Sequence, residues 1–140
     1  MKSRIIAVLI IIILALNLVS CFVTSRDIHV DISCNEFAEN PTGIRNDFEM
    51  EIGDKLYVVL CSNPSTGFEW SYKMSDDSVI KEEGHDFEEP DSNLPGAAGK
   101  ETWTFETVDK GTTMIDMEYS QPWEGGIKQE WMYRITVTVK

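Results

Sequence analysis

The amino-acid sequence predicts an all-β protein, an antiparallel β-sandwich of immunoglobulin-like size preceded by a hydrophobic N-terminal segment. Segment after segment alternates apolar and polar residues with a period of two, which is the pattern of half-buried strands. Outside the N-terminal segment, no stretch keeps the apolar period of about 3.6 residues that a helix shows. A chain of 140 residues has room for one hydrophobic core. We therefore expect one domain of short strands joined by turns.

Residues 1–20 have the composition of a secretory signal. Lys2 and Arg4 precede an unbroken apolar run, and the segment continues into the letters LVSC, which end at Cys21. Those four residues resemble a lipobox, which implies cleavage before Cys21 and attachment of a diacylglycerol to its sulfur. We expect an extracytoplasmic protein held at a membrane by lipid. The alternatives are secretion without an anchor and an uncleaved N-terminal helix, for which the run is barely long enough and is interrupted by Asn17.

The strand pattern fills the chain after a short tether, residues 22–26, so we assign residues 27–140 to the sandwich domain. Its first segment, DIHVDI, alternates cleanly. The next clear strand, KLYVVLC, is apolar on both faces, so we expect it in the middle of a sheet. Further alternating segments are ETWTFETV, TMIDMEYS and WMYRITVTV, at residues 101–108, 113–120 and 131–139.

The acidic segment EEGHDFEEPDSN, residues 82–93, is the most charged and least periodic part of the domain. A calcium loop needs oxygen ligands at an ordered spacing, and this segment has no such order, so we expect no metal site here. We predict a solvated loop that follows a short strand near residues 78–82.

The charge of the chain argues against nucleic-acid binding. Acidic residues outnumber basic ones by 24 to 12, and the net charge is -12. Removing residues 1–20 takes away two positive charges and no negative one, which leaves -14. A phosphate backbone favours clustered Lys and Arg, whereas these are scattered. Such acidity is typical of a soluble, exposed domain, and we expect a monomer without nucleic acid or cofactor.

The residue types do not indicate an enzyme. The two histidines, His29 in the first strand and His85 in the acidic segment, lie near no signature of a nucleophile or a metal site. His29 alternates with apolar neighbours, so we expect it to face solvent. Cys34 and Cys61 are free to pair in an oxidising compartment or to remain separate core residues, and the sequence leaves both possibilities open.

Three connections rich in proline and glycine are predicted to share one end of the sandwich, because alternate turns between antiparallel strands lie at the same end. Pro64 and Gly67 favour a single turn shape for NPSTG. The stretch Gly96–Gly99 is almost without side chains, so a partner could approach its backbone. Trp123 follows Pro122 in a loop instead of occupying an inward strand position. We expect a pre-ordered binding surface with one aromatic anchor.

The first of these connections carries a specific resemblance. NPSTGF, residues 63–68, with Trp70 just beyond, resembles the NPTTG loop of the chagasin family, protein inhibitors of papain-like cysteine peptidases. A Gly-rich loop similar to that family's GxGG and a Pro-Trp loop similar to its RPW follow in the same order. The likeness extends over residues 27–140. Two positions depart clearly from the family pattern: Ala98 replaces the penultimate glycine, and Gln121 stands where arginine is frequent. Ser65 in place of threonine is a milder departure.

The resemblance implies a reversible, non-covalent inhibitor whose three loops enter the active-site cleft of a papain-like cysteine peptidase as a wedge. Thr66 would cover the catalytic thiolate and its histidine, and Trp123 would stack on aromatic residues beside the cleft. The side chain of Asn63 is expected to stiffen the turn by bonding to the loop's own backbone. The expected contact residues are Asn63, Pro64, Ser65, Thr66, Gly67, Phe68, Gly96, Ala97, Ala98, Gly99, Gln121, Pro122 and Trp123. The alternative is an immunoglobulin-like surface lipoprotein that binds another protein through the same loops.

Overall fold

The computed structural model describes residues 25–92 and 94–140, which form two four-stranded β-sheets packed face to face. Its elements are β1 Asp27–Ile32, α1 Cys34–Glu39, β2 Ile44–Met50, β3 Lys55–Ser62, β4 Glu69–Met74, β5 Ile80–Glu88, β6 Gly99–Thr107, β7 Gly111–Ser120 and β8 Trp131–Val139. One sheet has the strand order β1-β3-β6-β5, and the other has the order β2-β8-β7-β4. The prediction of an all-β sandwich is confirmed. The predicted signal segment and Cys21 lie outside the described residues, and within those residues no helix is long and apolar enough to cross a bilayer.

The core lies between the two sheets and is filled by alternate residues of each strand. Trp103 and Phe105 of β6 face Tyr133 and Ile135 of β8 across this space, and all four side chains are buried. Full burial of an apolar side chain stabilises the fold by about 1.5–3 kcal/mol. A shift of one residue in register would therefore expose a whole row of such side chains, so the period of two fixes which face points inward. As predicted from its apolar character, β3 lies inside its sheet, between β1 and β6.

One strand in each sheet pairs in parallel, unlike the rest. The first strand, β1, runs parallel to β3, and β2 runs parallel to β8, whereas the other four pairings are antiparallel. The helix α1 explains this arrangement. It carries the chain from β1 at the edge of one sheet to β2 at the edge of the other, so these two strands do not pair with each other.

The helix α1 was not predicted, because six residues are too few for a helical period to repeat. The missed signal is a capping box. The hydroxyl of Ser33 accepts from the N–H of Glu36 at 3.3 Å, and the Glu36 carboxylate accepts from the N–H of Ser33 at 2.8 Å. The buried ring of Phe37 then packs against Trp70 and Trp131, with both centroid distances 5.2 Å. The helix thereby closes one end of the sandwich.

The prediction that residues 82–93 form a solvated loop is wrong for the first half of that segment. Strand β5 continues to Glu88 and pairs with β6, with a register shift between Glu82 and Gly84. It is an edge strand whose side chains are mostly exposed, so it tolerates charge and loses the alternating signal. Its anchor is His85, whose ring stacks on Trp103 at 4.4 Å.

Candidate functional site

Three loops meet at one end of the sandwich. They are loop 1, residues 63–68, between β3 and β4; loop 2, residues 89–98, between β5 and β6; and loop 3, residues 121–130, between β7 and β8. Their bases are neighbours in the sheets: Ser62 pairs with Gly99, and Glu69 pairs with Ser120. The strand ends therefore hold the three loops side by side.

Loop 1 is a tight turn fixed by its own backbone. Residues Pro64–Thr66 form a single 3-10 turn, in which the N–H groups of Thr66 and Gly67 donate to the carbonyls of Asn63 and Pro64 at 3.1 and 3.0 Å. Gly67 has a φ of +78°, in the left-handed region that favours glycine. The hydroxyl of Thr66 donates to the carbonyl of Asn63 at 2.6 Å. Pro64, Ser65 and Thr66 are exposed at the tip of this stiff turn.

Asn63 connects loop 1 to its surroundings. Its backbone N–H donates to the hydroxyl of Tyr119 at 2.8 Å, and its side-chain nitrogen donates to the carbonyl of Gly96 in loop 2 at 2.9 Å. Its side-chain oxygen accepts from the hydroxyl of Ser65. The prediction that this side chain bonds to the loop's own backbone is wrong, because the amide reaches a neighbouring loop instead. Asn63 therefore fixes the position of loop 1 relative to loop 2.

Trp123 of loop 3 covers Gly67 of loop 1. A Cβ placed on Gly67 would lie 2.5 Å from Cη2 of the Trp123 ring, far inside normal contact distance. The indole nevertheless remains 50% exposed. Glycine is thus required at position 67 for two reasons, its positive φ and the close approach of the ring. This contact joins loop 3 to loop 1.

An aromatic cluster supports the loops from below. The ring of Tyr119, whose hydroxyl holds loop 1, stacks on Trp131 at 4.8 Å and on Phe68 at 5.3 Å. Trp70 lies 5.0 Å from Tyr119 and donates its indole N–H to the carbonyl of Cys61 at 2.9 Å. Each such aromatic pair contributes about 0.5–1.5 kcal/mol beyond the burial of its area. Phe68, one of the predicted contact residues, is half-buried and packs on this cluster.

Cys34 and Cys61 form a disulfide, with their Cα atoms 5.2 Å apart. This separation lies in the range that disulfide geometry requires. The bond joins the first residue of α1 to β3 two residues before loop 1 begins. The base of loop 1 is therefore tied covalently to the helix that closes this end of the sandwich.

Loop 2 presents backbone and one large apolar side chain. Gly96 has a φ of +80°, and the N–H of Ala97 donates to the carbonyl of Leu94 at 3.1 Å, which closes a turn. Gly96 and Ala98 are exposed, and Ala97 is half-buried. Leu94, which was not among the predicted contact residues, is 74% exposed. The sequence signal for it is an apolar residue directly before Pro-Gly, where a turn is expected.

Gly99 belongs to the base of loop 2 and not to its surface. It is buried at the first position of β6. A Cβ there would lie 2.3 Å from the carbonyl oxygen of Glu88 on the neighbouring strand. The absence of a side chain at Gly99 therefore allows β5 and β6 to pack together, and this residue does not share the exposure of Gly96.

Loop 3 folds around Gln121. The backbone N–H of Gln121 donates to the carbonyl of Ile127 at 2.8 Å, and the side-chain oxygen of Gln121 accepts from the N–H of Ile127 at 3.0 Å. The Lys128 ammonium donates to the carbonyls of Gln121 and Trp123. Gln121 thus turns into the loop, while Pro122 and Trp123 stay exposed. No sequence pattern pointed to Lys128 or Ile127, because their role depends on hydrogen bonds across the loop.

The chemistry that this end of the molecule offers is that of binding. Loop 1 contains no titratable side chain. Among residues 25–92 and 94–140, no group of three or more His, Cys, Asp or Glu side chains could hold a metal ion. The loop tips offer a backbone turn, a hydroxyl at Thr66 and the indole of Trp123.

The sequence matches proteins of known class. A family model described as chagasin family peptidase inhibitor I42 matches residues 49–138, which include all three loops. Chagasin from Trypanosoma cruzi is 33% identical to this chain over 79 residues, which are 53% of this chain and 71% of that protein.

Solved structures share the fold. EhICP2, a cysteine protease inhibitor from Entamoeba histolytica, superimposes with a TM-score of 0.65 at 20% identity, over 84% of this chain and 100% of that chain. PbICP-C, solved in complex with falcipain-2, gives a TM-score of 0.55 at 15% identity, over 83% of this chain and 100% of that chain. At these identities the likeness concerns the fold alone.

Proposed function

This chain belongs to the chagasin family of peptidase inhibitors, and on that premise we propose that it inhibits papain-like cysteine peptidases by inserting its three loops into the active-site cleft. The family is one of inhibitors, not of enzymes. The proposed inhibition is reversible and forms no covalent bond. The observation that supports it most is the junction of the loops, in which the ring of Trp123 lies on Gly67 and the amide of Asn63 reaches Gly96. A module that used one loop alone would have no need of this arrangement.

Thr66 is the residue that we place over the catalytic centre of the peptidase. The nucleophile of such an enzyme is a thiolate beside an imidazolium. Thr66 lies exposed in the 3-10 turn of loop 1, and the residue after it, Gly67, is covered by the ring of Trp123. The turn would cover the thiolate with backbone and a hydroxyl and would not react with it.

The restraints on loop 1 account for its proposed resistance to cleavage. A peptide bond must relax into the geometry of nucleophilic attack before a peptidase can cut it. The Pro64–Thr66 turn is restrained from three sides, by its internal hydrogen bonds, by the Tyr119 hydroxyl on the N–H of Asn63, and by the bond from Asn63 to loop 2. A loop with these restraints loses little conformational entropy on binding.

Trp123 is the proposed energetic anchor. Aromatic residues at the centre of an interface frequently account for 2 kcal/mol or more of the binding free energy, and a standard interface buries roughly 800 Å² on each partner. The half-exposed indole of Trp123 is already in place on Gly67 before binding. The exposed backbone of Gly96 would lie against the opposite wall of the cleft.

The test is a titration of the full chain, kept in solution by a mild detergent, against papain with a fluorogenic substrate. We expect inhibition that is reversed on dilution, with the inhibitor intact by mass spectrometry, and that is weakened by Thr66→Ala and by Trp123→Ala. The matched control is Thr112→Ala, which removes an exposed hydroxyl at the opposite end of the sandwich. Cleavage of loop 1, or no inhibition by folded protein, would rule out the proposed function and favour a lipoprotein that binds another partner.

We also propose that a lipid on Cys21 holds this domain at the outer face of a membrane. Support comes from the basic residues, apolar run and LVSC letters of residues 1–21. Strand β1 runs parallel to β3, so it starts at the end of the sandwich opposite the loops, and the tether would leave the loops pointing away from the membrane. Labelled palmitate should enter the wild-type chain and not the Cys21→Ser variant. Equal labelling of both would contradict the lipid anchor.

A further inference from the structure

We propose that Lys128 and Gln121 are positioning residues that hold Trp123 in its binding orientation. This inference rests on the proposed function, since it assigns a role within the same binding surface. Neither side chain need touch the peptidase for this role.

Gln121 closes the base of loop 3 through both its backbone and its side chain. Its backbone N–H and its side-chain oxygen bond to the carbonyl and the N–H of Ile127, at 2.8 and 3.0 Å. This pair of bonds resembles one rung of a strand pairing, made partly by a side chain. The amide is therefore committed to the loop itself and is not directed at a partner.

Lys128 bridges the two carbonyls on either side of Pro122. Its ammonium donates to the carbonyl oxygen of Gln121 and, at 3.3 Å, to that of Trp123. Two carbonyl dipoles directed at one point repel each other unless a donor lies between them, and an ammonium has three donors to offer. Within the described residues no carboxylate oxygen lies within 4.0 Å of this nitrogen. The contacts of this ammonium are therefore with the backbone on either side of Pro122 and at Trp123.

The indole itself is enclosed at two ends by glycines. Its far edge lies on Gly67, where a Cβ would come within 2.5 Å of Cη2. Its nitrogen end lies near Gly126, where a Cβ would be 3.1 Å from Nε1 of the ring. The N–H of Gly126 also donates to the carbonyl of Trp123 at 3.1 Å. A gap of about 1 Å would remove about a quarter to a half of the attraction in each contact. The bonds of Lys128 therefore act together with that of Gly126 to keep the ring in this position.

The test compares Lys128→Met with Lys128→Arg in the full chain, in wild-type and Trp123→Ala backgrounds, by inhibition of papain. Loss of a solvent-exposed charged bridge should raise the inhibition constant about three- to tenfold in Lys128→Met, and arginine, which also donates to two carbonyls, should restore it to within about twofold. In the Trp123→Ala background, Lys128→Met should have no further effect. Lys110→Met, at the opposite end of the sandwich, is the matched control and should inhibit as the wild type does.

Two outcomes would overturn the inference. An unchanged inhibition constant in Lys128→Met would show that loop 3 needs no brace, and an equal loss in the presence and absence of the Trp123 ring would show that Lys128 contacts the peptidase directly.

A spectroscopic measurement separates this inference from the proposed function. The indole N–H resonance of Trp123 in the free protein, identified by its absence in Trp123→Ala, should shift or broaden in Lys128→Met and stay in place in Lys110→Met. This readout needs no peptidase, so it judges the positioning role even if the wild-type chain inhibits nothing. An unchanged resonance in Lys128→Met would refute the positioning role.

Discussion

Replacing Gly67 by alanine distinguishes an effect on folding stability from an effect on the position of the Trp123 ring. Position 67 has a φ of +78°, and an L-residue in this region costs about 1–2 kcal/mol. The added methyl would also lie 2.5 Å from Cη2 of Trp123, where ordinary contacts begin near 3.4 Å. The ring must therefore move by about 1 Å or turn away. Because Trp123 is half exposed, this movement adds little to the loss of folding stability.

The effect of Gly67→Ala on inhibition should be larger than its effect on stability. Displacing the anchor of the interface removes most of what Trp123 contributes, for which 2 kcal/mol or more is typical, so the inhibition constant should rise at least about 30-fold. The free energy of unfolding, measured by urea denaturation, should fall by only about 1–2 kcal/mol.

The chain contains a matched control for this experiment. Gly53 has a similar φ of +89°, but no atom lies within 4 Å of the position of its Cβ, and it is in the β2–β3 turn at the opposite end of the sandwich. Gly53→Ala should lose a similar amount of stability and inhibit papain as the wild type does. Normal inhibition by Gly67→Ala would show that the position of the Trp123 ring does not matter. An equal loss of inhibition in Gly53→Ala would show that lowered stability is the cause.

Three further predictions concern the supports of the loops. Asn63→Asp removes the donor that reaches loop 2, so we expect about tenfold weaker inhibition of papain with melting temperature nearly unchanged; equal potency would contradict the bridge. Removing the 27-residue loop closure with Cys34→Ser and Cys61→Ser together should lower the free energy of unfolding by about 3–4 kcal/mol in urea titrations. Hydrogen bonds from the backbone and hydroxyl of Ser33 hold the pKa of Glu36 below its ordinary value. These bonds therefore stabilise the fold fully at a pH above the ordinary pKa of Glu36, and their contribution is lost as the pH falls through the lowered pKa. The difference in stability between wild type and Ser33→Ala should therefore shrink in acid.

The inner strands could be predicted from the sequence, and the edge strands only in part. Strands β3, β6, β7 and β8 pack one or both faces on the core, so burial imposes either alternation or a continuous apolar run on them. The edge strand β5 contributes little to the core beyond Ile80, and β2 buries only Met50 fully. Most of their side chains are exposed to solvent, so charged residues are tolerated at these positions. Their sequences therefore lack the alternation of apolar and polar residues that marks a half-buried strand.

The same distinction applies to the site. Pro64 and Gly67 were found because a turn restricts the residue type at a single position, and that restriction is visible in one sequence. The contacts from Asn63 to Gly96, and from Lys128 across loop 3, depend on where the backbone brings distant residues together. Any of several residue types could have made them, so no local pattern marks them.

The two sides of the binding surface are supported in different ways, and this difference has consequences for variation. Loop 1 is attached to the core through Tyr119 and to α1 through Cys61, so a change in the core also moves the turn that carries Thr66. Loop 3 is held mainly by bonds among its own residues, with Gln121 and Lys128 at their centre. We therefore expect substitutions in loop 3 to change inhibition at little cost in folding stability, whereas those beneath loop 1 should change both together.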